Sequence, residues 1–217
     1  KTRSTISATI RLTEVSAARC AVSPRVPDGR HAMVRQTTGP PFALPNLRVS
    51  KGTYVLVIAV PIPLRLAIGK LGTFDFPVGW YAYAGSARGP GGLPTRLRHH
   101  LQAADRPHWH IDYLRKSARP TEIWYGCAAD HDEHRWAAGL AAMRDSRSVA
   151  LGFGSSDCRC ETHLAFFAAR PGVARFRRSM RSLAKKRPGP IYHIDLKGDR
   201  EAETITNPSV PEASRQA

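Results

Sequence analysis

The clearest pattern in the chain is Gly52-Thr-Tyr-Val-Leu-Val-Ile-Ala-Val60, an uncharged run rich in β-branched residues. Such a run predicts a strand buried on both faces, and the domain is expected to begin there. A second strand is expected at Gly79-Trp-Tyr-Ala-Tyr-Ala-Gly85. Alternation puts Tyr81 and Tyr83 on one face and Trp80, Ala82 and Ala84 on the other, with Gly85 ending the strand. After a turn of small residues, Ser86 to Gly92, the spacing of Leu93, Leu97 and Leu101 predicts a helix with one apolar stripe. Arg96 and His100, also four apart, share a neighbouring face of it.

Elsewhere the pattern is weaker. Pro61 and Pro63 break the first strand, and Leu64 to Pro77 suggests one further short strand and a loop. Pro107 to Lys116 reads as a second helix with Ile111 and Leu114 inward, so that His110 and Asp112 fall on different faces. Thr121 to Cys127 reads as a strand, and Asp132 to Arg144 as a helix burying Trp136, Leu140 and Met143. Gly152 to Cys160 forms a loop, and Leu164 to Ala168 the final strand. Together these give an α+β fold: one small domain over residues 51–170, with a central mixed or antiparallel sheet flanked by helices.

The flanks differ in character. Residues 1–50 carry no sustained period and are rich in proline near their end, which predicts a disordered basic extension. The chain starts at Lys1, and Met33 is a candidate translation start. Residues 171–217 form a basic segment and tail. Between Thr162 and Ile194 there is no acid. Phe176, Met180, Leu183 and Ala184 give this stretch one apolar stripe, so it either docks as a helix or stays a solvated arm. From Lys197 onward disorder is expected.

Charge changes the picture more than composition does. With 33 Lys and Arg against 17 Asp and Glu, the formal charge is +16. That balance favours a polyanionic partner, because each cation that neutralises a phosphate releases a counterion. A nucleic acid, DNA or RNA, is the expected partner. Four cysteines at irregular spacing do not make a secreted disulfide scaffold or imply a disulfide-linked partner. They fit a reducing cytoplasm. No run approaches the roughly 18 apolar residues of a membrane span. Nothing in the sequence specifies an oligomeric state.

Two strand phenols, a glycine-rich turn and an Arg/His pair on the following helix would form a pocket suited to phosphate. Here the sequence resembles the GIY-YIG nuclease superfamily. Gly52-Thr53-Tyr54 is similar to its first motif, Tyr83-Ala84-Gly85 to its second, and Arg96 with His100 to its helical pair. Thr53 stands where the first motif usually has an aliphatic residue. The resemblance is closer to a small branch with strings like Trp109-His-Ile-Asp-Tyr-Leu114 and Gly152-Phe-Gly-Ser-Ser-Asp-Cys-Arg-Cys160, followed by His163-Leu164.

This resemblance implies metal-dependent hydrolysis of DNA phosphodiester bonds, with a non-catalytic nucleic-acid-binding module and a thiol or zinc protein as alternatives. It implies Tyr54 as base toward water, its pKa drawn down by Arg96 or a metal. Tyr83 would orient water or phosphate, Arg96 would pair with the phosphate, and His100 would assist as donor or acceptor. Glu133 is placed most like the single carboxylate that holds a Mg- or Mn-type ion, with Asp130 and Asp132 as neighbouring candidates. Ser86, Arg88, Arg98, Arg159, Arg177, Arg178 and Arg181 are candidate nucleic-acid contacts. His110 and Asp112 read as hydrogen-bonding residues of the scaffold. Cys158, Cys160 and His163 offer three soft ligands, with His110 or Cys127 as a fourth, but the C-x-C spacing favours buried thiols over zinc.

Overall fold

The two-faced burial expected of residues 52–60 organises the molecule. In the computed structural model, which describes residues 47, 49–102, 106–127, 132–185 and 187–196, this run is strand β1 (Gly52–Val60). Tyr54, Leu56, Ile58 and Val60 pack into one core, and Val55 and Val57 into a second on the opposite face. Fully burying such side chains contributes about 1.5–3 kcal/mol each.

Strands β4 (Gly79–Ala87) and β5 (Pro120–Gly126) flank β1, both antiparallel to it. A register shift at Val57/Ile58 interrupts the ladder to β5. The edges are β6 (Leu164–Phe167), paired with β4, and β7 (Tyr192–Asp195), paired with β5. The sheet order is thus β6-β4-β1-β5-β7, with every pairing antiparallel. A separate hairpin joins β2 (Leu64–Ala67) to β3 (Thr73–Phe76) through a single 3-10 turn, Gly69–Leu71.

Helices cover both faces. Leu93 and Leu97 of α1 (Gly92–Leu101), with Ile111 and Leu114 of α2 (His110–Arg115), pack against the Tyr54 face. Trp136 and Leu140 of α3 (Glu133–Ala141) pack against the other, as do Phe176 and Met180 of α4 (Val173–Ser182). This is the expected α+β architecture. No helix among the described residues is long and apolar enough to cross a membrane.

Several local expectations are corrected. Gly85 does not end its strand; β4 runs on to Ala87, and a Cβ at Gly85 would stand 2.5 Å from the Tyr54 hydroxyl. The glycine admits a neighbouring ring and does not break the strand. The helix expected from Pro107 starts only at His110, because the Asp112 carboxylate accepts hydrogen bonds from the backbone of His108 and Trp109, each 3.0 Å. Residues 64–77 hold two strands where one was expected, and β6 is followed by another strand, β7. The C-terminal apolar stripe stops at Met180: Leu183 is 48% exposed and lies past the end of α4. The expected disordered extension through residue 46, Met33, Asp130 and the tail from Lys197 lie outside the described residues.

Candidate active site

At one end of β1 and β4, on the face covered by α1 and α2, lies a cleft of about 380 Å³. Tyr54, Tyr83, Ser86, Arg96, His110, Glu133 and His163 all line it, joined by His108, Trp109, Ser156 and Asp157. Pairing sets the first part of this geometry: Tyr54 lies opposite Gly85, so its ring crosses the glycine toward the β4 side. Gly154 plays a similar part from the loop after α3. Its φ is +75°, and a Cβ there would meet Tyr83 at 2.7 Å, so the loop backs directly onto the second phenol.

Tyr54 is 2% exposed and hydrogen-bonded through its hydroxyl to His100 Nε2 at 2.6 Å. Burial pushes its phenol pKa well above the ordinary value, and the nearby Tyr83 raises it further; Arg96 pulls the other way and loses. Arg96 alone therefore does not draw this phenol toward phenolate. The Tyr83 phenol is raised as well, by burial first and then by Glu133. Tyr81 is committed elsewhere, donating to the Pro77 carbonyl at 2.7 Å.

His100 is buried behind Tyr54. Desolvation lowers its pKa well below the usual imidazole value, and the Arg115 cation adds to this, so the ring is neutral at neutral pH. Its Nδ1 has no hydrogen-bond partner but stands 3.9 Å from Asp112 Oδ1. A carboxylate on that side favours the proton on Nδ1, which leaves the Nε2 lone pair to accept from Tyr54. Asp112 is fully buried. Burial alone would raise its pKa, but the Trp109 and His108 amides and the Arg115 guanidinium at 2.8 Å outweigh it and hold the carboxyl below its ordinary value. Arg115 also donates to the carbonyls of His99 and Gln102, closing the C-terminal end of α1.

The Trp109-His-Ile-Asp-Tyr-Leu114 string is thereby explained. Trp109 supports Arg96, whose guanidinium lies over the indole at 4.0 Å. The Gly154 amide donates to His110 Nδ1 at 3.0 Å, so His110 holds the loop to α2, and Asp112 anchors the whole turn. Pattern reading left Trp109 without a role because no short spacing links it to Arg96.

Glu133 enters from the first turn of α3, which otherwise packs on the opposite face of the sheet. Its Oε2 is shielded yet accepts no hydrogen bond. A carboxylate oxygen left this way fits a cation from solution or substrate. Asp132 is instead the N-cap of α3, accepting from the Arg135 amide at 2.8 Å.

The other basic residues singled out from sequence do not line the cleft. Arg88, Arg98 and Arg159 are exposed outside it. Arg177, Arg178 and Arg181 sit on α4, which packs on the opposite face of the sheet, and Arg177 Nε donates to the Ile191 carbonyl at 3.1 Å. Cys158, Cys160 and His163 do come together, near the cleft wall, and His134 stands with them.

No curated protein and no solved structure matches the chain. Residues 53–186, which contain the cleft and every side chain that lines it, match the family described as a domain of unknown function, DUF123, and to that family the chain belongs.

Proposed function

We propose that the protein is a metal-dependent phosphodiesterase of the GIY-YIG type that cuts DNA. The observation that carries this reading is the convergence of Tyr54, Tyr83, Arg96 and Glu133 on one open cleft, with Tyr54 hydrogen-bonded to a neutral histidine. These four come from two strands and two helices, and a sheet protein has no packing reason to gather two phenols, a guanidinium and an unpartnered carboxylate oxygen. The net charge of +16 supplies the attraction for a polyanion.

Glu133 is the residue that would hold a magnesium- or manganese-type ion, its free Oε2 being the donor atom that fits one. Such an ion supplies, when bound, charge neutralisation on the phosphate and a more acidic water. The chain's own groups do the rest. Arg96, held over the Trp109 ring, offers its fork to the non-bridging oxygens. Tyr83, kept a phenol by burial, donates a hydrogen bond to phosphate or water.

The proton of the attacking water passes to the Tyr54 oxygen as the Tyr54 hydroxyl gives its own proton to His100 Nε2. The new imidazolium is balanced by Asp112 beside Nδ1. The water oxygen bonds to phosphorus, the P–O bond to the leaving sugar oxygen breaks, and that oxygen takes a proton from solvent. Tyr54 thus acts as a relay and never needs to exist as a phenolate.

The test incubates full-length protein with labelled linear and branched DNA, and with RNA of the same sequence, in Mg²⁺ or Mn²⁺. Wild type is compared with Tyr54→Phe, Arg96→Ala and Glu133→Ala. Cleavage of DNA by wild type and its loss in all three variants is expected. Tight binding without cleavage under either metal would make the cleft a nucleic-acid-binding module, and cleavage undiminished in the variants would move the chemistry elsewhere.

A further inference from the structure

Two groups of side chains among the described residues bring at least three metal-binding atoms together. One is His99, His100 and Asp112, but the Arg115 guanidinium already sits on Asp112 Oδ1 at 2.8 Å and His100 Nε2 is taken by Tyr54. A cation is in place there. The other is His134, Cys158, Cys160 and His163, whose four donor atoms all lie within 4.8 Å of one another with no cation among them.

We propose that these four side chains bind one zinc ion in a closed, tetrahedral Cys2His2 site that fastens the loop 153–163 to the start of α3. The geometry argues for it. Cys158 Sγ stands 3.5 Å from His163 Nε2, and Cys160 Sγ stands 3.4 Å from His134 Nδ1. Bonds of about 2.3 Å to sulfur and 2.0–2.1 Å to nitrogen at a tetrahedral angle put S and N about 3.5 Å apart. Each distance alone would also suit a thiol–imidazole hydrogen bond, so what singles out one centre is that all four donor atoms converge within 4.8 Å.

Donor chemistry narrows the metal. Two thiolates and two imidazoles in a tetrahedron suit zinc, whereas the oxygen-seeking Mg²⁺ or Mn²⁺ suits Glu133 next door. Four protein ligands leave no open position, so the role is structural. The expectation of plain buried thiols is replaced, as is the guess of His110 or Cys127 for the fourth ligand. His110 Nδ1 is held by the Gly154 amide, and Cys127, expected as a reduced thiol, is disulfide-bonded and has no thiolate to offer, whereas Cys158 and Cys160 are free. His134 was overlooked because it comes from a separate helix, 24 residues before Cys158 in the chain.

What the ion would do follows from where its ligands sit. The loop is closed on itself by the His163 amide donating to the Phe153 carbonyl at 2.8 Å, and it carries Gly154, Ser156, Asp157 and His163 into the cleft wall. His134 is the residue after Glu133. A zinc clamp between them would fix the loop relative to the proposed ion-binding carboxylate.

Full-length protein purified under reducing conditions and without added metal should carry about one zinc per chain by elemental analysis. Replacement with Co²⁺ should give the ligand-field bands of a four-coordinate site and a thiolate charge-transfer band. The double variant Cys158→Ser/Cys160→Ser and His134→Ala should each lose most of the zinc. His193→Ala should keep it, since that imidazole pairs with Glu122 at the far edge of the sheet. To separate ligand loss from misfolding, a mercurial thiol titrant added to folded wild type should release zinc in step with the modified thiols.

Zinc-free reduced wild type that takes up no cobalt with thiolate charge transfer would overturn the proposal. So would a Cys158–Cys160 disulfide in the protein as first purified, or full zinc retention by the double variant. None of these readouts uses nucleic acid, so the clamp and the phosphodiesterase stand or fall separately.

Discussion

Two carboxylates in this fold meet opposite fates. Glu122, on β5, has both oxygens engaged: Arg170 donates to Oε1, while Trp124 Nε1 at 3.1 Å and His193 Nε2 at 2.8 Å face Oε2. Glu133, at the mouth of the cleft, has an Oε2 with nothing to accept from. Arg170 spans Glu122 and Asp195, whereas Arg96 meets no carboxylate among the described residues and rests on an indole. The proposed function rests on this difference: the scaffold satisfies one acid and leaves an oxygen of the other without a hydrogen bond.

Exchanging the acids for neutral residues breaks the comparison most sharply. Glu133→Gln should lower the cleavage rate about 10³-fold or more while leaving the melting temperature close to wild type, as for loss of a principal electrostatic group. Glu122→Gln should do the reverse, with cleavage retained and stability down by on the order of 3 kcal/mol. That is the low end for a broken buried pair, because the Arg170 and His193 side chains are 38% and 33% exposed. Parallel nuclease assays and thermal melts read both. If Glu122→Gln silenced cleavage and Glu133→Gln only unfolded the protein, the contrast would be inverted.

Arg96→Ala comes next, with an expected loss of about 10²–10³-fold in turnover. Arg96→Lys should recover only part of it, because a point charge does not fork two oxygens. Affinity for DNA should fall less than turnover, which fluorescence anisotropy on an uncleavable duplex would read.

The contrast also bears on what the sequence could reveal. The strands around Tyr54 and Tyr83, the Leu93 and Leu97 stripe and the Trp136 helix follow from short periods, and all stand in the structure where periodicity put them. Gly85 was read through its own backbone freedom and not through the neighbour it admits; that neighbour is 31 residues earlier and visible only once β1 and β4 are in register. The β7 strand is four residues long and alternates half-buried with exposed positions, too short to stand out beside a basic segment. At the site, the helical spacing could nominate Arg96 and the resemblance Tyr54 and Glu133, but the sign of the Tyr54 shift depends on how deeply the ring is buried. His134 and Trp109 act through partners on other elements, and no local spacing carries that.

Protonation of His100 gives a smaller and graded effect. Its folded pKa is depressed, so below the ordinary imidazole value of about 6.5 the unfolded chain binds a proton that the folded one refuses. Its contribution to stability is complete above that pH and declines as pH falls toward the depressed folded value. Cleavage should decline on the same acid side, since a charged His100 cannot take the Tyr54 proton. His100→Gln should flatten the acid limb of the stability profile and, with no acceptor for the Tyr54 proton, lose most of the cleavage at every pH, measured by urea melts and by initial rates from pH 4 to 8. Glu122→Gln, at the satisfied carboxylate, should leave the acid limb of the rate in place.

Trp109→Leu asks whether Arg96 is held ready or merely present. The guanidinium lies 4.0 Å from the indole centroid, a contact of about 0.5–2 kcal/mol depending on how dry it is. Leucine keeps an apolar floor but removes the ring's negative face, so Arg96 should sample other rotamers and reach the phosphate less often. Turnover should fall about three- to tenfold, the rate equivalent of roughly 1 kcal/mol. The backbone amide of residue 109 still donates to Asp112, so the anchor of α2 is kept, and the loss of stability should be that of a partly buried ring's packing. In an Arg96→Ala background the same substitution should cost less in turnover, because the cation that the indole steadies is gone and what remains is its ring contacts with His99, His100 and His108. Additive losses in that double-mutant cycle would mean that Trp109 serves the cleft by its bulk alone.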